Sequence, residues 1–192
     1  GLIFNPFYRE AGVEIGFFAE DWLYASASAG SNLSDFSPNY TKDPTYTARV
    51  EITPRFGEVG LMLGGSYASV KLEGGAGTLN TSMYGGFFGF GYDEFSLLAE
   101  YDIANDLYLS DSKSNMLMVE AAYGVITGLD AVVRYDRIDR NADVDSDEIQ
   151  RLIFGLEFHP FSFIEIRPQY RLVMEDPSFD NDSFVMQLHF WY

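Results

Sequence analysis

Two histidines, His159 and His189, are the side chains of this 192-residue chain best suited to proton transfer near neutral pH. Each sits beside a short connection or the end of the sequence, and no histidine stands near the longer connections. They read as hydrogen-bonded structural residues, and the chain reads as a non-enzyme. Asp143, Asp145 and Asp147 place carboxylates at alternate positions, as at the opening of a calcium loop. The sixth-position glycine and twelfth-position glutamate of such a loop are missing, so no resident metal is expected, only a solvated tip that could take a divalent cation. With no cysteine in the chain, thiolate metal sites, disulfides and covalent haem are excluded. Gly85, Gly86, Gly89 and Gly91 open no helix and so form no phosphate cradle; they read as close packing within a strand.

The other charges fall into a pattern of period two. From residue 151 to 159, Leu152, Phe154, Leu156 and Phe158 alternate with Arg151, Ile153, Gly155, Glu157 and His159. After a turn at residues 160–162, Ile164, Ile166, Tyr170 and Leu172 alternate with Glu165, Arg167, Gln169 and Arg171. Alternation of this kind marks strands with one apolar face. Similar runs at about 46–53, 59–70, 81–92, 95–104, 115–125, 129–138 and 183–192, with a less regular one within 11–28, bring the expectation to about ten strands and no helix.

Composition agrees with a folded all-β chain. Residues are 47% hydrophobic and 17% aromatic, too apolar for a disordered acidic segment. The excess of 29 acidic over 12 basic residues, a net charge of −17, excludes a nucleic-acid partner, because phosphates would be repelled. The longest uncharged run, 74–92, is too rich in Gly, Ser, Thr and Asn for a membrane-crossing helix.

The connections carry a rhythm. From residue 53 they are expected to run short (54–58), long (71–80), short (93–94), long (105–114), short (127–128), long (139–147), short (160–162) and long (175–182), with a further long one at 30–44. A Greek-key sandwich has no reason to alternate in this way, whereas a transmembrane barrel has short turns at one end and longer loops at the other. Tyr92, Phe95, Phe158, Phe161 and Phe163 gather near the short turns and Tyr46, Tyr67, Tyr135 and Tyr170 towards the loops, as interfacial girdles would. At the C-terminus Phe184, Met186, Leu188, Phe190 and Tyr192 share one parity, and the sequence ends on an aromatic.

In this last strand the chain resembles bacterial outer-membrane β-barrel proteins, and with the loop rhythm the resemblance extends over most of the sequence. Residues 133–136, 155–160 and 164–167 also resemble the closing strands of porin-type channels. The resemblance implies an antiparallel transmembrane barrel in the bacterial outer membrane, with an insertion signal at Phe184, Met186, Leu188, Phe190 and Tyr192 read by the barrel-insertion machinery. An even strand count would put both termini in the periplasm, with residues 1–10 a lead-in or plug before a barrel domain of 11–192. If residues 1–10 are instead the tail of a preceding strand, the chain is the C-terminal part of a larger barrel.

With the apolar parity in lipid, the other parity lines the lumen. Arg49 and Glu51, then Glu100, Asp102 and Glu120, then Arg134, Arg151, Glu157, Glu165, Arg167 and Arg171 would face inward opposite a wall of small residues. The leading function is porin-like passage of small polar solutes through a narrow charged lumen, without a cofactor. An occluded barrel that anchors other envelope proteins is the alternative. The acidic loops at 139–148 and 175–182 would face lipopolysaccharide, with divalent ions as the bridge.

Overall fold

The computed structural model describes residues 10–32, 43–74, 77–145 and 147–191. The described residues contain strands and connections but no helix. In chain order the strands are β1 (Glu10–Ala19), β2 (Leu23–Asn32), β3 (Pro44–Ile52), β4 (Arg55–Phe56), β5 (Val59–Gly74), β6 (Gly77–Tyr92), β7 (Phe95–Asn105), β8 (Lys113–Ile126), β9 (Leu129–Asp139), β10 (Ile149–Phe161), β11 (Ile164–Glu175) and β12 (Ser183–Phe190). They form one antiparallel sheet in which each long strand pairs with its neighbours in sequence, and the two-residue β4 pairs with the start of β5. Short turns lie along one edge of the sheet and, except between β5 and β6, longer connections along the other. Within the described residues β1 and β12 are the two ends of this order and do not pair with each other.

The strand count corrects the sequence reading in three places. The irregular run at 11–28 is a hairpin, β1 and β2, joined at residues 20–22 with Glu20 at φ 51°. Its second strand alternates Ala25, Ala27 and Ala29 with Ser26, Ser28 and Gly30, residues too alike in size and polarity to announce a strand. Eleven long strands result instead of ten. Second, the long connection expected at 71–80 is a continuation of β5 and β6, which stay in register from Val59↔Tyr92 to Gly74↔Gly77. Its glycines imitate a loop, whereas the Val70↔Thr81 and Leu72↔Leu79 pairs sustain the ladder. Third, the inference of two chain ends on one side rested on an even count. With eleven long strands, Glu10 lies opposite Asn32 at the loop edge and Phe190 opposite Ile164 at the turn edge, so the described strands begin and finish at opposite edges. Residues 1–9 and Tyr192 lie outside the described residues.

The two faces differ sharply. Val13, Ile15 and Phe17 of β1, Val50, Leu63, Tyr84, Tyr101, Val133, Phe154 and Leu156 in the middle, and Phe184, Met186, Leu188 and Phe190 of β12 share one face, all of them exposed. The expected girdle residues Tyr46, Tyr67, Tyr92, Phe95, Phe158 and Tyr170 stand on the same face. Among the described residues the buried apolar side chains are only Val70, Phe87, Ala104, Leu107, Val132 and Ile153. The five of these that lie in strands belong to the opposite, charged face. An exposed apolar surface this continuous far exceeds what a water-soluble monomer carries, and it matches the outward band of a membrane barrel.

Candidate functional site

The polar face is built by register. Antiparallel pairing sets Glu100 opposite Met118, Glu120 opposite Arg134, and Arg134 opposite Ile153, while Asp136 lies opposite Arg151. Arg167 and Arg171 continue the row onto β11. Because all these side chains share a face, ion pairs form across the ladder instead of through the sheet.

Asp136 is the hub. Its Oδ1 accepts from Arg134 Nε at 2.7 Å and its Oδ2 from an Arg151 terminal nitrogen at 2.8 Å. Glu120 stands 4.0 Å from the other side of Arg134. Towards the turn edge, Arg167 is shared between Glu165 at 2.7 Å and Glu157 at 3.0 Å. Arg171 differs: it donates to the side-chain oxygen of Gln169 at 3.0 Å, its Nε is buried without an acceptor, and no carboxylate pairs with it among the described residues.

These groups surround two hollows. One of about 420 Å³ is lined by Glu100, Asp102, Arg134, Asp136 and Arg151, together with Met116 and Met118. A second, of about 170 Å³, lies between Glu120, Arg134, Arg151, Glu157, Arg167 and Arg171. Arg49 and Glu51 stand apart on β3, 2.7 Å from each other. The Arg49 guanidinium lies 4.3 Å from the centre of the Phe87 ring, and Phe87 in turn reaches over Gly64. A Cβ at Gly64 would meet Phe87 Cζ at 2.1 Å and the Val50 carbonyl at 2.6 Å, so glycine makes room for the ring. In the same way Asp102 folds over Gly85. The glycine wall is therefore partly covered by side chains of neighbouring strands, not left open to groups reaching from the far side.

The sequence brought the arginines and carboxylates to one face but did not single out Asp136, because parity says nothing about how one carboxylate is divided between two guanidiniums. Phe184, Met186, Leu188 and Phe190 are all exposed on the apolar face of β12. Among the described residues no three His, Asp or Glu side chains converge on a point suited to a metal ion. Asp143, Asp145 and Asp147 lie in the connection between β9 and β10 without such convergence.

No protein-family profile matches the chain, and no curated protein sequence does either. Solved structures of Occ outer-membrane porins are similar in fold. Pseudomonas aeruginosa OccK5 (OpdH) superimposes with a TM-score of 0.68 at 15% identity over 94% of this chain and 58% of its own. P. aeruginosa OccK9 (OpdG) gives 0.65 at 16% identity, covering 92% and 51%, and Acinetobacter baumannii OccAB1 gives 0.66 at 11% identity, covering 93% and 56%. The chain thus spans a little over half the length of these structures. Its fold is the one these structures share, an all-antiparallel sheet with short turns at one edge.

Proposed function

We propose that the protein is an outer-membrane channel whose charged face lines a path for small polar solutes. The observation that carries this reading is the division of one sheet into a continuous apolar face and an ion-paired face that carries open hollows of about 420 and 170 Å³. Structural likeness to outer-membrane porins supports the same placement, with the acidic connections outside the cell and the short turns in the periplasm. Solutes meet alternating positive and negative groups along the wall, so hydrogen-bonding and charged molecules replace their water shell there at low cost. Arg171, whose hydrogen bond goes to the neutral Gln169 and not to a carboxylate, keeps a net positive charge on the wall for a passing anionic group. The alternating apolar residues of β12 serve as the signal for the insertion machinery, and the acidic loops meet lipopolysaccharide through divalent ions.

Planar-bilayer recording of the full-length protein tests the reading. Steady single-channel steps are expected, with a conductance and ion preference that change in Arg167→Gln and Arg171→Gln. Electrical silence from a folded barrel would contradict transport and favour an anchoring barrel instead.

A further inference from the structure

At the turn edge, three adjacent strands add two histidines and a tryptophan to the Glu165–Arg167 pair of the polar face. Glu165, only 3% exposed, lies between His159 on β10 and His189 on β12. Its Oε2 is 2.6 Å from His189 Nδ1, and its Oε1 accepts from Arg167 and stands 3.7 Å from His159 Nε2. Trp191 closes the group, stacked on His159 at 6.2 Å and edge-on to His189 at 6.3 Å. The group is fastened at both ends. The His159 backbone donates to the Gly128 carbonyl at 2.7 Å, and that of Trp191 to the Phe163 carbonyl at 3.1 Å.

Both imidazoles keep about two-fifths of their surface exposed, so protons reach them from the lumen side. The charged groups facing them are Asp130 on β9, Glu157 on β10, and Glu165 and Arg167 on β11. Glu120 lies further along the wall beside Arg134, and Asp93 and Glu94 occupy the adjoining turn. With neutral imidazoles the three carboxylates and one guanidinium of the inner group sum to 1 − 3 = −2. With both imidazoles protonated the sum is −2 + 2 = 0. Imidazole is the side chain whose charge changes between pH 5 and 8.

We infer that His159 and His189, grouped about Glu165 and Trp191, form a proton-responsive selectivity patch on the wall at the turn-edge mouth of the channel. Near neutral pH the patch is anionic and favours small cations; on acidification it takes up two protons and that preference relaxes. The inference rests on the channel reading, and it adds to the charged wall a second element that sets ion preference and depends on pH.

The test is the reversal potential of the full-length protein in a KCl gradient at pH 7.5 and pH 5. The cation-to-anion permeability ratio is expected to fall at least about threefold, as two unit charges acting through water at roughly 8 Å would produce after screening. The double variant His159→Gln/His189→Gln should hold its ratio across that range, and each single variant should keep part of the change. A conducting barrel whose ratio is the same at both pH values, or whose change survives in the double variant, would overturn the patch alone. Electrical silence would overturn the channel reading and the patch with it. A second readout locates the protons: in a Trp22→Phe background, emission from Trp191 should step between pH 8 and 5, because a charged imidazolium then lies against the indole, and the step should vanish in the double variant. An unchanged emission across that range would contradict proton uptake at these residues.

Discussion

Gly64 shows how much a single position on the polar face controls. Its missing Cβ admits the Phe87 ring, and that ring carries the Arg49 guanidinium at 4.3 Å. Gly64→Ala should therefore destabilise the barrel by about 1–3 kcal/mol, the range for overpacking. Trimming Phe87 to Ala in the same chain should restore only part of this, since the Val50 carbonyl at 2.6 Å is backbone and cannot move aside. Urea unfolding of the barrel in liposomes measures both. Asp136 makes a second case. Asp136→Asn leaves Arg134 and Arg151 without their shared carboxylate, and since both arginines are about two-fifths exposed, the loss should be about 1 kcal/mol rather than the larger cost of a buried pair. The same variant removes one negative charge from the wall, so its reversal potential should move towards anion preference. The face on which each of these residues stands was legible from period two. Which carboxylate serves which guanidinium was not, because that depends on register, and register is set by turns and bulges such as the one after Phe158.

At the level of elements, strands with strong contrast between faces were readable to within a few residues, as β10 and β11 show. The β1–β2 hairpin was not, because alanine against serine offers almost no contrast. The outer part of the β5–β6 hairpin was hidden by glycines that resemble a loop. Turn chemistry fixes the positions that matter. Gly128 sits at φ 81°, and a Cβ there would lie 3.0 Å from the His159 carbonyl. Gly128→Ala should cost about 1–3 kcal/mol for the left-handed backbone and disturb the β8–β9 turn that holds His159. At the loop edge Arg137 and Gln150 donate to Glu148, and these hydrogen bonds, the Arg137 bond first, hold its carboxyl below the ordinary carboxylate range. A depressed carboxyl favours the folded arrangement at pH values above its unfolded pKa, and the contribution disappears as pH falls through the folded value. Protease cleavage within residues 139–148 should accordingly rise as pH falls through and below the ordinary carboxylate range. Glu148→Gln should show raised cleavage already at neutral pH.

The whole molecule is an inversion of a soluble β protein: large apolar side chains stand exposed on one face, and the few buried ones share the other face with the charges. A net charge of −17 and a mean hydropathy of −0.07 conceal this, because a lipid-facing surface and an ion-paired lumen cancel in any average over the chain. On the apolar face an arginine near the bilayer midplane should be costly. Leu156→Arg is expected to destabilise the folded barrel by about 2–4 kcal/mol in liposomes, a loss that an exposed position on a soluble protein would not show. The assignment of faces is tested most directly by cysteine scanning, for which the absence of native cysteine provides a clean background. Single cysteines along β10 from residue 151 to 158 would be exposed in intact outer membranes to a water-soluble maleimide. Labelling at positions 151, 153, 155 and 157 and protection at 152, 154, 156 and 158 is the expected result. Labelling at the even positions, or protection of all eight, would contradict a lumen lined by the arginine and carboxylate face.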